Sequence, residues 1–283
     1  MQASQRLAGR GGFAGGSLRR DYPLTNAEIA SVAPSVFAEE KHTSRSERYT
    51  YIPTGHVLDG LRKEGFQPFA VAQGSTRVPG KAEFTKHMIR LRRAGEINGT
   101  EANEIILVNS HDGTSAYQML SGVLRFVCFN GLVCGENMKE LRVPHKGQIV
   151  ENVIQGAYDV LDGFQYIREV TEEMKSLTLS RDEAAVFANA AMEVRYPTDE
   201  ETGIALRPFD SSRLLSVRRS DDRKDDVWTT FNRIQENVIR GGIQGVGSTG
   251  RRMSTREVKG LDENTKVNRA LWMLAEGMAA LKR

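Results

Sequence analysis

The stretch "FTKHMIRLRRAGEINGTEANEIILVNS", residues 84–110, decides the predicted fold because it holds two apolar runs on either side of an Asn-Gly pair. In the first run, strand alternation places Lys86, Arg90 and Arg92 on one face and mainly apolar residues on the other. The pair Asn98-Gly99 is a strong hairpin signal because both turn positions need positive φ. The stretch therefore predicts an antiparallel hairpin with one packed face and one basic, open face.

Two other interpretations of these cations stay open at this point. On a helix, Lys86, Arg90 and Arg93 would also align on one side, so the segment alone does not settle the geometry. On an exposed edge strand, Lys and Arg would serve only as protection against aggregation.

The same period of two continues from residue 67 to about residue 143. Turn signals separate the apolar runs, at Pro79, at Asn98, at His111 and around Asn130-Gly131. Beyond Gly147 the pattern becomes helical almost to the end of the chain. Strands followed by helices, without alternation, predict an α+β fold with an antiparallel hairpin sheet, flanking helices and a helical C-terminal half. The predicted strands are "FAVAQGST", "FTKHMIRLRR", "NEIILVNS", "AYQMLSGVLRFVCF" and "MKELRV".

Three regions follow from this pattern. Residues 1–20 are basic, Gly-rich and without periodicity, so we expect a disordered basic arm. Residues 21–147 form the helix and antiparallel sheet region. Residues 148–283 form a helical region with a Gly/Arg-rich loop at 241–256.

Helix ends are marked by local signals. Thr25 with Glu28 three residues later has the spacing of a capping box, and Thr54 and Ser180 are predicted N-caps. Gly65 and the pair Gly241-Gly242 are predicted terminators, since glycine adopts the left-handed conformation that ends many helices.

The composition is that of an ordinary globular chain, with 283 residues, 39% hydrophobic and 27% charged. No apolar run approaches the roughly 20 residues needed to cross a bilayer, and the N-terminus lacks the apolar core of a signal peptide. We therefore expect a cytoplasmic protein that does not associate with membranes. Cys128 and Cys134 are too few for a disulfide scaffold and are not spaced like a zinc site, so they are expected to be packing residues.

A net charge of +3 hides a strong segregation of charge along the chain. Residues 61–93 carry eight Lys or Arg against two acids, and residues 240–259 carry five against one. Residues 151–206 carry twelve acids against four Lys or Arg. Such a chain is suited to face a polyanion on one side only.

Cations of the hairpin region and of the Gly/Arg-rich loop are the candidate binding residues. A row of Lys and Arg binds phosphates strongly and with a steep dependence on salt, because each neutralised phosphate releases counterions. The loop combines its cations with flexible backbone amides and hydroxyls, which suits a phosphodiester. An ordinary surface loop would have the same composition. The predicted nucleic-acid-binding residues are Lys86, Arg90, Arg92, Arg93, Arg125, Arg142, Lys146, Arg251, Arg252 and Arg256.

Enzyme motifs are weak in this sequence. The run "GIQGVGSTGRR" lacks the Lys-Ser or Lys-Thr ending of a phosphate-binding loop, so no nucleotide cofactor is expected. The histidines are scattered without paired metal-ligand spacing. In "SHDG", His111 and Asp112 would supply a metal or acid site together with His145 elsewhere; a tight turn in which Asp112 bonds its own backbone is the simpler interpretation.

Several stretches resemble the phage- and plasmid-borne domain-of-unknown-function family number nine hundred and thirty-two, which includes the YubP and YafZ-like proteins. The resemblance covers about residues 21–281. It implies a bacterial mobile-element setting but no specific chemistry. The stretches that carry it are "SRSERYTYIPT", "FTKHMIRLRR", "SHDGTSAYQ", "RFVCFNGLV", "FNRIQENVIRGG" and "VNRALWMLAE".

The predicted outline is similar to that of the single-strand annealing proteins of the RecT and Redβ kind, which work as rings or filaments on single-stranded DNA. By this analogy of outline we expect a homo-oligomeric DNA-binding protein of recombination or annealing type, with no cofactor and no metal. Two alternatives stay open. One is a metal-dependent enzyme acting on nucleic acid, and the other is a protein-interaction module that counters a host defence.

Overall fold

A computed structural model describes residues 16–44, 51–93, 101–115, 117–125, 130–133, 141–142, 149–198, 201, 209–246 and 250–283. The α-helices in these ranges are α1 (Asn26–Val32), α2 (Thr54–Lys63), α3 (Ile149–Ser176), α4 (Arg181–Arg195), α5 (Val227–Arg240) and α6 (Leu261–Leu281). The strands are β1 (Gly16–Arg19), β2 (Phe66–Gln73), β3 (His87–Arg93), β4 (Glu101–Asn109), β5 (Gln118–Arg125), β6 (Asn130–Val133), β7 (Leu141–Arg142), β8 (Gln244–Val246) and β9 (Arg252–Ser254).

An antiparallel sheet with helices around it confirms the predicted α+β class. Its strands lie in the order β1-β2-β3-β4-β5-β6, and β7 also pairs with β5. The pairing of β3 with β4 aligns His87 with Asn109 and Leu91 with Ile105, as expected for the hairpin in residues 84–110. The predicted turn at Asn98-Gly99 lies outside the described residues.

Two local predictions in this region are wrong. Residues 16–19 were expected to belong to a disordered arm, but they form β1, which pairs with β2 from Gly16 opposite Gln73. Asn130 and Gly131 were expected to form a turn, but they pair with Arg125 and Leu124 as part of β6. Residues 1–15 of the predicted arm lie outside the described residues.

Both faces of the central strands are buried. In β3, His87 to Arg92 are all buried and Arg93 is exposed. On one face, Met88, Ile106 and Leu120 come from neighbouring strands and belong to a cluster that includes Leu261. Within its described residues, β3 therefore lacks the open face that strict alternation of apolar and charged residues predicts.

The opposite face of the sheet packs against the N-terminal helical segments. Thr54, the first residue of α2, hydrogen-bonds through Oγ1 with His87 Nε2 at 3.0 Å and accepts a bond from Asn109 Nδ2 at 2.9 Å. Because its hydroxyl is used in this way, Thr54 does not cap its helix; the cap position is Pro53, which makes no side-chain capping bond. The N-cap predicted at Thr54 is thus wrong by one residue.

Other predicted helix ends are confirmed. Thr25 and Ser180 each form a complete capping box, with Glu28 and Glu183 respectively. Gly65 follows the end of α2 with a φ of 88°. These signals act over three or four residues, so contacts elsewhere in the fold do not alter them.

Helix α5 is the centre of the helical half of the chain. Every residue from Val227 to Ile239 is buried, including its polar residues. Its apolar side meets α6 through aromatic rings, with Phe231 and Trp272 centroids 6.0 Å apart and nearly perpendicular. The Asp226 side chain caps its start, and Gly241 ends it with a φ of 62°, as predicted.

The chain divides into two compact units, Met1–Phe164 with Lys259–Leu261, and Gln165–Val258 with Asp262–Arg283. The division falls within α3, whereas the sequence predicted a boundary between residues 147 and 148, which lie outside the described residues. Among the described residues, none of the helices has the length and apolar character that a membrane span requires.

Candidate nucleic-acid interface

The two central arginines of β3 are buried ion-pair partners rather than surface cations. Arg90 and Arg92 are 5% and 2% exposed, and Glu104 of β4 is 1% exposed. Arg90 Nη1 donates to Glu104 Oε2 at 2.6 Å, and Arg92 Nε lies 3.4 Å from Glu104 Oε1. The Arg92 guanidinium also stacks over the Phe69 ring, 4.0 Å from its centroid. The expectation of an open basic face is therefore wrong at these positions.

The physical reason for this correction is the cost of burying charge. A guanidinium in a low-dielectric interior needs a carboxylate partner, and one carboxylate here faces two arginines. The partner comes from the neighbouring strand, brought into place by the pairing of β3 with β4. We call Arg90, Glu104 and Arg92 the buried triad.

The remaining predicted cations of the sheet region differ in exposure. Arg93, at the end of β3, is exposed, with its guanidinium 5.2 Å from the centroid of the Phe66 ring. Lys86 is half-buried, and Arg125 is buried at 8% exposure. Arg142 lies in β7, but its side chain and all of Lys146 are outside the described part of the chain.

The predicted loop at 241–256 contains a short hairpin, β8 paired with β9. Val246 pairs with Arg252, and Gln244 pairs with Ser254. The base of the hairpin is closed by backbone bonds between Gly242 N and Thr255 O and between Thr255 N and Ile243 O, both 2.9 Å. Residues 247–249 at its tip lie outside the described residues.

All three predicted cations of this hairpin region are exposed. Arg251, Arg252 and Arg256 are each exposed, and the described residues show no ion pair that engages any of them. Two apolar side chains of the same hairpin, Val246 and Met253, are 58% and 41% exposed. The hairpin therefore presents cations and apolar groups together to solvent.

A second group of cations lies beside the hairpin, on residues 211–224, which we call the arginine segment. Arg213 Nη1 donates to Gln244 O of β8 at 3.0 Å, which joins the segment to the hairpin. Arg218, Arg223 and Lys224 are exposed on the same segment. Residues from two distant parts of the chain are thus gathered in the second unit.

Sequence reasoning missed the arginine segment because its charges nearly cancel. In "RLLSVRRSDDRKDD", residues 213–226, runs of basic residues alternate with pairs of aspartate, giving five Lys or Arg and four Asp. A count of net charge does not reveal such a stretch, because its positive and negative charges nearly cancel. Alternating runs of basic residues and aspartate were the available signal.

Burial of α5 excludes this helix as a reader of the DNA major groove. A helix that reads the major groove must expose one side to the bases. In α5, Val227 to Ile239 are all buried. The exposed basic elements of the second unit are the hairpin and the arginine segment.

The alternative metal site at His111 and Asp112 is a structural turn. Asp112 Oδ1 accepts bonds from Thr114 N at 3.0 Å and Thr114 Oγ1 at 2.6 Å, and Asp112 Oδ2 lies 3.2 Å from Lys81 Nζ. Burial alone would raise the pKa of the Asp112 carboxyl, but the bonds from Thr114 and Lys81 outweigh it and hold that pKa below its ordinary value. Gly113 has a φ of 74°, as a tight turn requires.

Nothing else in the described residues gathers metal ligands. No group of three or more His, Cys, Asp or Glu side chains is arranged there to hold an ion. His111 itself is fully buried and packs on Tyr51, with ring centroids 4.9 Å apart. His145, Cys128 and Cys134 lie outside the described residues.

A buried polar cluster at the start of the central strand β3 is the other feature that the sequence did not predict. His87 Nδ1 hydrogen-bonds with Ser35 Oγ at 2.9 Å, and its other ring nitrogen bonds with Thr54. Burial lowers the pKa of His87 to about 3, and the neighbouring His111 ring, with its centroid 5.3 Å away, adds to this effect. His87 is therefore neutral at pH 7 and links β3 to the segments that cover the sheet.

Comparison with known proteins agrees with the resemblance seen in the sequence. The chain is 53% identical to the UPF0380 protein YafZ of Escherichia coli (strain K12) over 273 residues, which cover 96% of this chain and 97% of YafZ. It is also 53% identical to the UPF0380 protein YfjQ of the same strain over 271 residues, with the same coverage. No solved structure matches the chain significantly. The model of the domain of unknown function DUF932 matches residues 41–272, and the chain therefore belongs to that family.

Proposed function

We propose that this protein binds single-stranded DNA and acts in recombination or strand annealing in a phage, prophage or plasmid. The observation that carries the proposal is the bond from Arg213 to Gln244 O, which brings the arginine segment beside the hairpin β8–β9. With Arg251 and Arg252, this surface offers guanidinium groups from two chain segments to a run of phosphates.

Guanidinium groups suit this role because they donate several hydrogen bonds in a fixed plane. Arg251 and Arg252 are exposed and adjacent in sequence, so successive phosphates of one strand lie within their reach. Affinity from such contacts depends little on base sequence. It falls steeply as salt rises, because bound phosphates release their counterions.

A single strand suits the hairpin surface better than a duplex. Val246 and Met253 expose apolar groups beside the arginines, and unpaired bases supply the apolar faces that would cover them. A duplex keeps those faces stacked inside.

Annealing of this kind requires several copies of the protein on one strand, and we expect homo-oligomers to form on DNA. Light scattering of the protein with and without an oligonucleotide of about 60 nucleotides would measure the number of copies.

Only part of the DNA-contacting set that the sequence predicts in the sheet region is kept in this proposal. Arg93 stays a candidate contact, whereas the buried Arg90 and Arg92 stabilise the fold.

Fluorescence anisotropy with a labelled oligonucleotide tests the proposal directly. We expect binding at 50 mM salt that weakens progressively to 200 mM, and weaker binding of the matched duplex. The change of log affinity with log salt should have a slope of about −0.7 for each phosphate contacted. Absence of binding at low salt, or binding that ignores salt, would exclude this function.

A further inference from the structure

The arginine segment lines an open surface depression, here called the cavity, that the proposed hairpin contacts do not use. Its volume is about 430 Å³, and it is lined by Val217, Arg218, Arg219, Ser220 and Arg223. The five lining residues include three guanidinium groups and no carboxylate. A cavity of this size exceeds a single phosphate ion and has room for a phosphate with an attached sugar.

Arg218 is held in place by the end of α5. Its Nε donates to Asn237 Oδ1 at 2.6 Å, and its Nη2 donates to Gly241 O at 2.5 Å. Asn237 in turn donates to Leu214 O at 2.8 Å and Ser216 O at 2.9 Å, which fixes the backbone of the segment. Since α5 is buried, the groups that anchor this guanidinium are held in place. The Arg218 side chain therefore loses little conformational entropy when a ligand binds.

Arg219 is anchored on the preceding turn of the same helix. It forms an ion pair with Glu236, which is 2% exposed, and Arg240 Nη1 lies 3.4 Å from the same carboxylate oxygen. Arg219 Nε is shielded from solvent and has no hydrogen-bond partner among the described residues. This nitrogen is a donor for which the described part of the fold supplies no acceptor.

Guanidinium groups act on one another around the cavity. Glu236 is shared by two arginines, and Arg218 lies close enough to both for their charges to act on it. Burial lowers the pKa of the Arg218 guanidinium, and the charges of Arg240 and Arg219 lower it further, against the opposing effect of Glu236. Arg223, which no ion pair in the described residues engages, adds a further positive charge. An anion in the cavity would relieve this repulsion.

We propose that this cavity binds a terminal phosphate, the phosphomonoester group at the end of a DNA strand. A phosphomonoester carries a charge of about −1.5 to −2 at pH 7, compared with −1 for a phosphate inside a strand, so it matches the guanidinium groups of the cavity better. Ser220 lies at the wall with its hydroxyl donating to Asp221 Oδ1 at 3.2 Å, and Val217, 43% exposed, offers an apolar contact to the adjoining sugar. The strand end as the source of the phosphate rests on the proposed function; the affinity for a phosphomonoester does not.

Two kinds of probe separate the phosphate site from strand binding. The first is a free nucleotide: calorimetric titration with deoxyadenosine 5′-monophosphate, with deoxyadenosine as the control that lacks the phosphate. The second is a set of three labelled oligonucleotides of one sequence, carrying a 5′-phosphate, a 3′-phosphate or no phosphate. We expect the nucleotide to bind and the nucleoside not to bind. One of the phosphorylated strands should bind about tenfold more tightly than the unphosphorylated strand, which is the effect of one charge-assisted contact.

Variants assign this preference to the cavity. Arg223→Ala should abolish the preference for a phosphorylated end and the binding of the nucleotide, and should lower affinity for the unphosphorylated strand much less than affinity for the phosphorylated one. Arg223→Lys, which keeps the charge, should retain part of the preference. Arg252→Ala should lower affinity for all three oligonucleotides by the same factor, so that the preference for the phosphorylated end is kept. Circular dichroism spectra matching the parent protein would show that the variants are folded.

The possible failures are distinguishable. Equal affinity for all three strands, with no binding of the nucleotide, would overturn the phosphate site and leave the proposed function standing. Binding of the nucleotide without binding of any strand would overturn the proposed function and the strand end as source, and would identify a free nucleotide as the ligand. A preference for the phosphorylated end that survives Arg223→Ala would overturn the location.

Discussion

Arg90 and Glu104 form a hydrogen-bonded ion pair of 2.6 Å between β3 and β4, with both side chains almost completely buried. Arg92 shares the same carboxylate, so Glu104 is the partner of two buried cations. This arrangement accounts for a charged stretch inside a sheet whose two faces are covered. It also makes Glu104 a carboxylate that serves both strand arginines.

Replacing this carboxylate should destabilise the fold strongly. Glu104→Gln keeps the shape but removes the carboxylate that faces two buried guanidinium groups, and we expect a loss of about 3–5 kcal/mol in the free energy of unfolding. Urea denaturation followed by circular dichroism measures it. The control is Glu83→Gln at an exposed position, with an expected change within about 0.5 kcal/mol. Equal effects of the two substitutions would contradict the role assigned to the buried triad.

His87 should make stability depend on pH between about 6.5 and 3. Because its folded pKa is lowered to about 3, the unfolded chain takes up a proton below its ordinary pKa while the folded chain does not. Stability from this residue is therefore complete above pH 6.5 and falls by about 1.4 kcal/mol per pH unit as pH decreases towards 3. Denaturation curves at pH 7, 6 and 5 measure the slope.

The variant His87→Gln isolates this effect from the titration of carboxylates. Glutamine keeps hydrogen-bonding capacity towards Ser35 and Thr54 but does not titrate. The variant should be less stable than the parent at pH 7 and show a smaller loss of stability between pH 7 and 5. An unchanged slope would mean that another group carries the pH dependence.

The hairpin arginines should set the salt dependence of DNA binding. Replacing Arg251 and Arg252 together with alanine removes two phosphate contacts, so the slope of log affinity against log salt should become shallower by about 1.4. Anisotropy titrations at four salt concentrations measure this. Arg181→Ala, an exposed arginine on α4 in the acidic stretch, is the matched control and should leave the slope unchanged. If the two variants behave alike, the hairpin does not contact the strand.

Gly241 should not tolerate a side chain. It has a φ of 62°, and a Cβ placed there would lie 2.7 Å from the backbone carbon of Arg256. Gly242→Ala is a matched control, because Gly242 also has a positive φ, 80°, but its Cβ would meet nothing within 4 Å. We expect a loss of about 1 kcal/mol for Gly242→Ala from backbone strain, and a clearly larger loss for Gly241→Ala. Thermal unfolding compares them, and equal losses would show that the contact relaxes freely.

The parts of the fold that depend on neighbouring residues were predictable from the sequence. The capping boxes at Thr25 and Ser180 need only a partner three residues away, and the stop at Gly241 needs only glycine. Strand pairing in residues 84–110 followed from alternation around one Asn-Gly pair. Each of these signals is physically local, so the rest of the chain does not alter it.

The site was less predictable because burial depends on contacts between distant residues. Arg90 looks exposed in the sequence, and Glu104, its partner fourteen residues later, lies in another strand. The sequence around Thr54 predicts a helix cap, but in the structure the Thr54 hydroxyl bonds with His87 and Asn109 of the sheet. The arginine segment was hidden for a related reason: its aspartates cancel its charge in the sequence, whereas the fold gathers Arg218, Arg219 and Arg223 around one cavity.

The anchoring of Arg218 and Arg219 on α5 links ligand binding to thermal denaturation of the second unit. Any anion that engages these guanidinium groups in the native state, and not in the unfolded chain, raises the melting temperature, by an amount equivalent to about 2.7 kcal/mol when its concentration is one hundred times its dissociation constant. A melting-temperature screen of nucleotides and phosphorylated oligonucleotides would therefore rank ligands for this family without an activity assay.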